Sequence, residues 1–246
     1  MMVIGLSAGC GGDEPTDGEV DAPIAIDADE RPPFSFFVTS LETMRLQAGS
    51  QDGFGGNIGG LAGADAICQR AATDVGFGDK TWRAFISVTS GPGGGPVHAI
   101  DRVGDGPWYD RNGRLIANDK AGLAMTRPAG DTQASVDLVD ENGRSLHFFE
   151  DAHDIMTGSN PQGMLESSDP ASTCSDWTSA VGPGSEGRVR CGHAWPAGSG
   201  QHWITAHRLP GCAPGVRTTF TPPGQKGNTV GGQGGWGGLY CFALTP

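Results

Sequence analysis

The chain has 246 residues, of which 42 are glycine and 17 are proline, and its formal net charge is −12. This composition indicates a protein rich in loops and turns. The negative charge argues against nucleic-acid binding and against a polybasic contact with a membrane, so neither is expected as a direct partner.

The first ten residues, MMVIGLSAGC, are mostly apolar and end with small residues before Cys10. This pattern resembles the bacterial lipobox, in which a signal peptide is removed and the cysteine receives lipid. No Lys or Arg precedes the apolar run, which is shorter than a usual signal core, so an ordinary cytosolic start is the alternative. We predict a signal peptide over residues 1–10, lipidation of Cys10 and export to the cell envelope, with outer-membrane attachment and secretion both left open.

Residues 11–33 contain eight Asp or Glu residues, and Arg31 is their only basic residue. A like-charged segment that contains proline cannot bury enough apolar surface to become ordered. We therefore predict a disordered acidic linker, with an acidic binding arm as the alternative. Residues 34–246 remain for a single domain, and this length is sufficient for one hydrophobic core.

The predicted elements of this domain are one amphipathic helix and a series of short strands. Residues 34–40 predict the first strand. Over residues 61–75, apolar side chains recur at steps of three and four, which predicts a helix with one buried face. Residues 82–88 are rich in aromatic and β-branched side chains and predict a strand. Two hairpins with Asn-Gly turns and a closing strand complete an α+β pattern, at 106–117, 136–149 and 238–243.

Several short motifs follow one another in a fixed order along the domain. They are FVTS at 37–40, GADAICQ at 63–69, WRAFIS at 82–87, TGSNPQG at 157–163, TCSDW at 173–177 and YCF at 240–242. Together they resemble endostatin, the C-terminal domain of collagens XV and XVIII, and a group of bacterial secreted proteins and lipoproteins with the same pattern. The resemblance covers residues 34–246. It implies an α+β, C-type-lectin-like fold with one main helix, short antiparallel strands and long loops, pinned by disulfides.

The cysteines favour an exported, disulfide-bonded domain. No Cys-x-x-Cys pair occurs, which argues against a zinc ribbon and against thioredoxin-like chemistry. The endostatin resemblance implies that the first cysteine of the domain pairs with its last, and that two inner ones pair with each other. Carried over to this chain, the pairs are Cys68–Cys241 and Cys174–Cys212, with Cys191 left over when Cys10 carries lipid.

Histidines and carboxylates are the candidate metal ligands or catalytic groups. No His-Glu-x-x-His helix is present, and the spacing within 191–207 matches no common metal frame. We therefore predict loop histidines that are hydrogen-bonded to backbone, with no metal, no cofactor and no catalytic residue. Convergence of the candidates in one cleft would instead favour a metal-binding protein or an enzyme. These candidates are His193, His202, His207, Asp151 and Asp154, with Cys191 beside them.

Aromatic residues in or beside the long loops are the candidate ligand-binding residues. Loops on a rigid frame often carry binding residues, and exposed rings suit a glycan or a protein surface. The calcium-binding triplets of C-type lectins are missing, so binding without calcium is expected. We predict a non-catalytic cell-surface or secreted module for an extracellular glycan or protein, with a hydrolytic or metal-binding envelope enzyme as the alternative. The candidates are Trp108, Tyr109, Trp195, Trp203 and Trp236, each of which could instead belong to a small loop core.

Overall fold

A computed structural model describes residues 33–181, 188–220, 222 and 227–245. The strands are β1 (Phe36–Val38), β2 (Trp82–Ala84), β3 (Trp108–Tyr109), β4 (Leu115–Ala117), β5 (Asp154–Met156), β6 (Arg190–His193), β7 (His207–Arg208), β8 (Gly235–Gly238) and β9 (Tyr240–Ala243). The helices are α1 (Leu41–Ala48), α2 (Gly60–Asp74), α3 (Lys120–Leu123), α4 (Thr132–Val136) and α5 (Pro196–Ser199). Short 3-10 turns occur at Ala99–Asp101, Leu146–Phe148 and Pro170–Thr173, and a left-handed turn occurs at Cys174–Trp177.

The mixture of few helices with mainly antiparallel strands is the predicted α+β class. Among the described residues, no helix has the length and apolar character needed to cross a membrane. The predicted signal peptide, Cys10 and residues 11–32 of the predicted linker lie outside the described residues.

The longest helix, α2, is the one that the apolar spacing predicts. Its buried face is formed by small and apolar side chains, which lets it pack closely on the sheet beside it. Gly63 lets the segment before the helix lie against its first turn, because a Cβ atom there would lie 1.9 Å from the carbonyl oxygen of Ile58. The helix follows Gly59, whose φ of 81° lies in the left-handed region that favours glycine. The buried residues are Ala64, Ile67, Cys68, Ala71 and Ala72.

The first and last strands of the domain pair with each other. In the order β1-β9-β2, the closing strand β9 lies in the middle and is antiparallel to both neighbours. The Cys68–Cys241 disulfide joins α2 to β9, with Cα atoms 5.5 Å apart, and so fixes the helix to this sheet. The second disulfide, Cys174–Cys212, joins two loops. Both predicted pairings are confirmed, and Cys191 is the free cysteine of the described residues.

One of the two predicted hairpins is confirmed. Strands β3 and β4 pair antiparallel about the Asn112 turn. The prediction of a second hairpin over 136–149 is wrong in its strands. The Asn142 turn is present, and a 3-10 turn follows it. The predicted first strand instead begins with the last residue of α4, a helix that Asp131 caps. In this part of the described chain, an isolated bridge between Val139 and Ser145 and the hydrogen bonds between Asp140 and Arg144 join the two sides, without forming strands.

A second sheet has the order β7-β6-β5-β8. Strand β6 is antiparallel to both β5 and β7, whereas β5 and β8 are parallel. The three strands β5, β6 and β7 are short and come from distant parts of the chain. They carry the charged and sulfur-containing residues described below.

Candidate metal centre

The register of the second sheet places four ligand-type side chains on one face. Asp154 on β5 lies opposite His193 on β6, and Cys191 on β6 lies opposite His207 on β7. Directly opposite residues of an antiparallel pair share a face of the sheet, and so do residues two positions apart on one strand. Asp154, Cys191, His193 and His207 therefore point to the same side.

His153 joins this group from the loop that leads into β5. The backbone N–H groups of His153 and Asp154 both donate to the carbonyl oxygen of Gly234, at 3.0 and 2.8 Å. The ring of His153 stacks on that of His193 with centroids 4.3 Å apart and meets the ring of His207 at 5.1 Å. We refer to His153, Asp154, Cys191, His193 and His207 as the histidine cluster.

Gly234 holds the place beside His153 open. Its φ is +139°, and a Cβ atom there would lie 2.0 Å from the carbonyl oxygen of Asp151 and 2.8 Å from Cε1 of His153. Any larger residue at position 234 must therefore displace His153 or the backbone before it. The cluster depends on this glycine although glycine itself supplies no ligand.

Asp154 is the buried anion of the histidine cluster. Its side chain has no exposed surface, and its Oδ1 lies 2.8 Å from Nδ1 of His207. In the part of the chain that the structure describes, its Oδ2 has no hydrogen-bond partner, and neither has Nδ1 of His153, which is also buried. A buried polar atom without a partner costs about 1–3 kcal/mol, so the described residues leave the polar atoms of this cluster incompletely satisfied.

Two overlapping sets of three ligand atoms lie close enough to hold one ion each. In the imidazole set, the ring nitrogens of His153, His193 and His207 lie within 4.8 Å of one another. In the thiol set, one ligand atom each of Asp154, Cys191 and His207 meets the same limit. His207 belongs to both sets. Imidazole nitrogen, thiolate sulfur and carboxylate oxygen are the ligands that zinc-like ions take from proteins.

Burial keeps His193 neutral. Its desolvation, and after that the nearby positive charges that His153, His207 and His147 can carry, lower the pKa of His193 to about 2. A neutral imidazole is the form that binds a metal ion. At neutral pH the ring therefore has the charge that coordination needs.

Cys191 is not placed as a nucleophile. Burial, and after it the negative charge of Asp154, raises the pKa of the Cys191 thiol well above its usual range. The thiolate is the reactive form of cysteine, and this side chain is fully buried. The group formed by Asp154, His207 and Cys191 thus contains the residue types of a nucleophilic triad, but its sulfur is neither accessible nor ionised.

Trp195 covers one side of the cluster. Its ring lies edge-on to His193 at 4.4 Å and to His153 at 5.3 Å, and His147 stacks on it at 4.6 Å. Its indole N–H donates to the carbonyl oxygen of Ala152, which fixes the ring over the loop before β5. His207 keeps 26% of its side chain exposed, against 8% for His153, and is the cluster residue most open to solvent.

The candidate histidines and acids of the sequence converge only in part. His193, His207 and Asp154 meet, and Asp151 lies at the margin, with its Oδ1 3.4 Å from Nδ1 of His153. His202 lies outside both ligand sets, and its Nδ1 accepts the backbone N–H of Ile204, as predicted for a loop histidine. Sequence reasoning did not single out His153. It placed Cys191 beside the candidate histidines and also as the cysteine left over from the two disulfides.

Three of the five candidate aromatic residues are buried. Trp108, Trp203 and Trp236 expose 1%, 0% and 2% of their surface, so for these three the alternative of a place in a core holds, and they offer no ring surface to a ligand. Each belongs to the core, where a polar ring atom also needs a partner: Nε1 of Trp203 donates to Leu123 and Nε1 of Trp236 to Thr39. Tyr109 and Trp195 are half-buried and still offer ring surface.

Comparison with known proteins does not add to this geometry. No protein-family model matches the sequence, and a search among curated proteins found no match. The similarity of the ordered motifs to endostatin therefore remains a prediction.

Proposed function

We propose that this protein is an exported, C-type-lectin-like domain of the endostatin type, and that it is a non-catalytic binding module whose ligand is a transition-metal ion. The observation that carries the metal proposal is the convergence of His153, His193 and His207 beside the buried, half-unpartnered carboxylate of Asp154. The order of the sequence motifs supports the fold, and the two disulfides support an oxidising compartment.

The ligand types favour a zinc-like ion over calcium or magnesium. Calcium takes six to eight oxygen ligands and magnesium keeps a shell of oxygen atoms, much of it water. The histidine cluster supplies three imidazoles, one carboxylate and one thiol. Nitrogen and sulfur ligands suit zinc, copper, nickel and cobalt.

The Asp154–His207 hydrogen bond prepares His207 for a metal ion. A carboxylate only accepts hydrogen bonds, so Nδ1 of His207 carries the proton and its Nε2 keeps the lone pair. Carboxylates that hold metal-binding histidines in this way are common around metal centres. The tautomer of His193 must change before the ring can coordinate through Nε2, because its Nδ1 accepts the backbone N–H of Trp195 in a long hydrogen bond of 3.3 Å. Coordination through Nε2 would move the ring proton to Nδ1 and break that bond.

Burial of the histidine cluster favours binding over turnover. A catalytic zinc keeps a coordination position open to water or substrate. Here four of the five cluster residues are buried and only His207 is partly exposed, while the ring of Trp195 lies against His193 and His153. Three surface cavities, of about 700, 270 and 300 Å³, are lined by residues outside the cluster.

The experiment that tests the proposal is equilibrium dialysis of the exported, disulfide-bonded protein against zinc. We expect stoichiometric binding. His193→Ala and His207→Ala should weaken it by more than the roughly 10–100-fold loss typical of groups that only support a ligand. His147→Gln is the matched control, since His147 stacks on Trp195 but is exposed and belongs to neither ligand set. A folded wild-type protein that binds no zinc would overturn the proposal.

A glycan or protein ligand is the second candidate, and an exposed aromatic side chain favours it. Phe148 exposes 83% of its surface and follows His147, which stacks on Trp195. This ring and the free part of Trp195 suit stacking or packing against a partner. A glycan and surface-extract binding screen, run with and without chelator, separates the two candidates. Reproducible hydrolysis that is lost in Asp154→Asn or His207→Ala would contradict the non-catalytic assignment.

A further inference from the structure

Cys191 is a buried free thiol that belongs to the hydrophobic core and also has polar neighbours. The four cysteines of the two disulfides are accounted for, and Cys191 lies in the middle of β6. A buried free cysteine commonly serves as a small apolar side chain. Cys191 has apolar neighbours of that kind, among them Met156 opposite it on β5, but it also faces His207 across one strand pair and lies near Asp154.

The carboxylate beside Cys191 is the second observation that points to an ion. The ligand atoms of Asp154, Cys191 and His207 lie within 4.8 Å of one another. Oδ2 of Asp154 is buried and has no hydrogen-bond partner among the described residues. An anionic oxygen, a sulfur and an imidazole nitrogen at this spacing can supply three ligands to one cation. The side chains of Asp154 and Cys191 are fully buried.

We propose that the centre has two alternative ion positions that share His207, and that a thiophilic ion such as Cd²⁺ or Cu⁺ occupies the thiol set with a direct bond to the sulfur of Cys191. Only one position is filled at a time, because His207 donates from Nδ1 to Asp154 and keeps a single lone pair. This inference rests on the proposed function. On binding, the S–H bond breaks, the proton passes to the buffer and a sulfur–metal bond forms, with no change of oxidation state. The ion would lie deeper than one held by the imidazole set, since Asp154 and Cys191 are fully buried.

The two sets differ in the ions they prefer. Thiolate is a soft ligand and favours soft ions, whereas imidazole suits zinc, nickel and divalent copper. A soft ion should therefore depend on Cys191 and tolerate loss of His153. A borderline ion such as zinc should depend on His153 more than on Cys191.

The test is a Cd²⁺ titration that records bound metal and sulfur bonding separately. Equilibrium dialysis measures bound Cd²⁺, and the ultraviolet thiolate-to-cadmium charge-transfer band reports a sulfur bond. All proteins carry Cys10→Ser, so that Cys191 is the sole free thiol, because the other four cysteines form disulfides. We expect the band in this background. His153→Gln should keep it, and Cys191→Ser should lose it.

The outcomes separate the two proposals. Bound Cd²⁺ without the band, or a band that survives Cys191→Ser, would overturn the role of Cys191 and leave the imidazole set intact. A folded protein that binds neither Cd²⁺ nor zinc would overturn the proposed function and this inference together. If Cys191→Ser does not fold, Cys191→Ala is the replacement variant, and the presence or absence of the band in the Cys10→Ser background already decides the proposal.

Discussion

Asp154 and His207 are joined by a 2.8 Å hydrogen bond between Oδ1 and Nδ1, although 53 positions separate them in the sequence. The bond links the fully buried carboxylate of the histidine cluster to its most exposed ring. It crosses β6, the strand that carries Cys191 and His193. The three strands therefore contribute to one polar centre.

Asp154→Asn should weaken zinc binding by about 10–100-fold, because an amide neither holds His207 in the same protonation state nor balances the charge of the ion. Competition with a chromophoric chelator measures the change. Asp151→Asn is the matched control, since Asp151 lies at the margin and makes no hydrogen bond with His153. Equal losses in the two variants would show that overall charge, and not the Asp154–His207 bond, determines affinity.

Metal-free protein should lose stability as the pH falls below 6.5, in part through His193. Burial lowers the pKa of His193 from 6.5 to about 2, so between these values the unfolded chain binds a proton that the folded chain does not. The contribution of His193 to the free energy of unfolding is fully present above pH 6.5 and decreases by at most about 1.4 kcal/mol per pH unit below it. Urea unfolding at several pH values measures the slope. His193→Gln should flatten it, and an unchanged slope would contradict the assignment.

Loss of the Cys68–Cys241 disulfide should lower the free energy of unfolding by about 4–5 kcal/mol in the chain-entropy model, since the bridge spans 173 positions. The Cys174–Cys212 bridge spans 38 positions and should contribute about 1 kcal/mol less. Double alanine variants compared by urea unfolding test the order. A larger loss for the shorter loop would show that loop closure does not dominate, and that strain or local packing does.

Gly234→Ala should reduce zinc affinity without removing any ligand. A Cβ atom at this position collides with the carbonyl oxygen of Asp151 and the ring of His153, so the imidazole set must rearrange. Gly93→Ala is the control, because a Cβ atom there meets no atom within 4 Å. Isothermal titration of both variants with zinc gives the comparison. Full zinc affinity in Gly234→Ala would mean that His153 is not a ligand.

Cys10→Ser should release the protein from the membrane fraction into the soluble fraction if Cys10 carries the predicted lipid. Mass spectrometry of the native protein should find acyl mass on a peptide that begins at Cys10. Detergent-phase partitioning of the two proteins provides an independent measurement. A mature chain that still begins at Met1 and has no lipid would refute the anchor.

Local patterns were sufficient to predict the helix and the class of fold. The spacing of Ala64, Ile67, Cys68 and Ala71 is a property of one segment, and a helix presents such a spacing on one face whatever surrounds it. The disulfide pairing followed from the endostatin resemblance and not from the spacing. Predicting the pairing from the residues alone would require knowledge of which distant segments meet, and a single sequence does not provide this knowledge.

The metal centre could not be predicted for the same reason. Asp154, His193 and His207 become neighbours only through the pairing of β5, β6 and β7, and each segment alone is too short to reveal its partner. The aromatic residues were treated as candidate ligand-binding residues because glycine-rich loops usually lie on the surface. Here the loop that carries Trp203 packs into the interior, and Trp236 lies in strand β8. Close backbone approach at Trp203 requires glycine, because a Cβ atom at Gly192 would lie 1.6 Å from its carbonyl oxygen.

The pairing of β1 with β9 also makes the domain suitable for circular permutation. Ala243 donates its backbone N–H to Ser35 at 2.9 Å, so the two ends of the fold meet at one place on the first sheet. A short linker between them would close the chain into a ring without disturbing either sheet. New ends could then open at 93–95, where glycines face free space and join no strand. We expect such a permuted chain to form the same histidine cluster, because the cluster depends on the pairing of β5, β6 and β7 and not on where the chain begins.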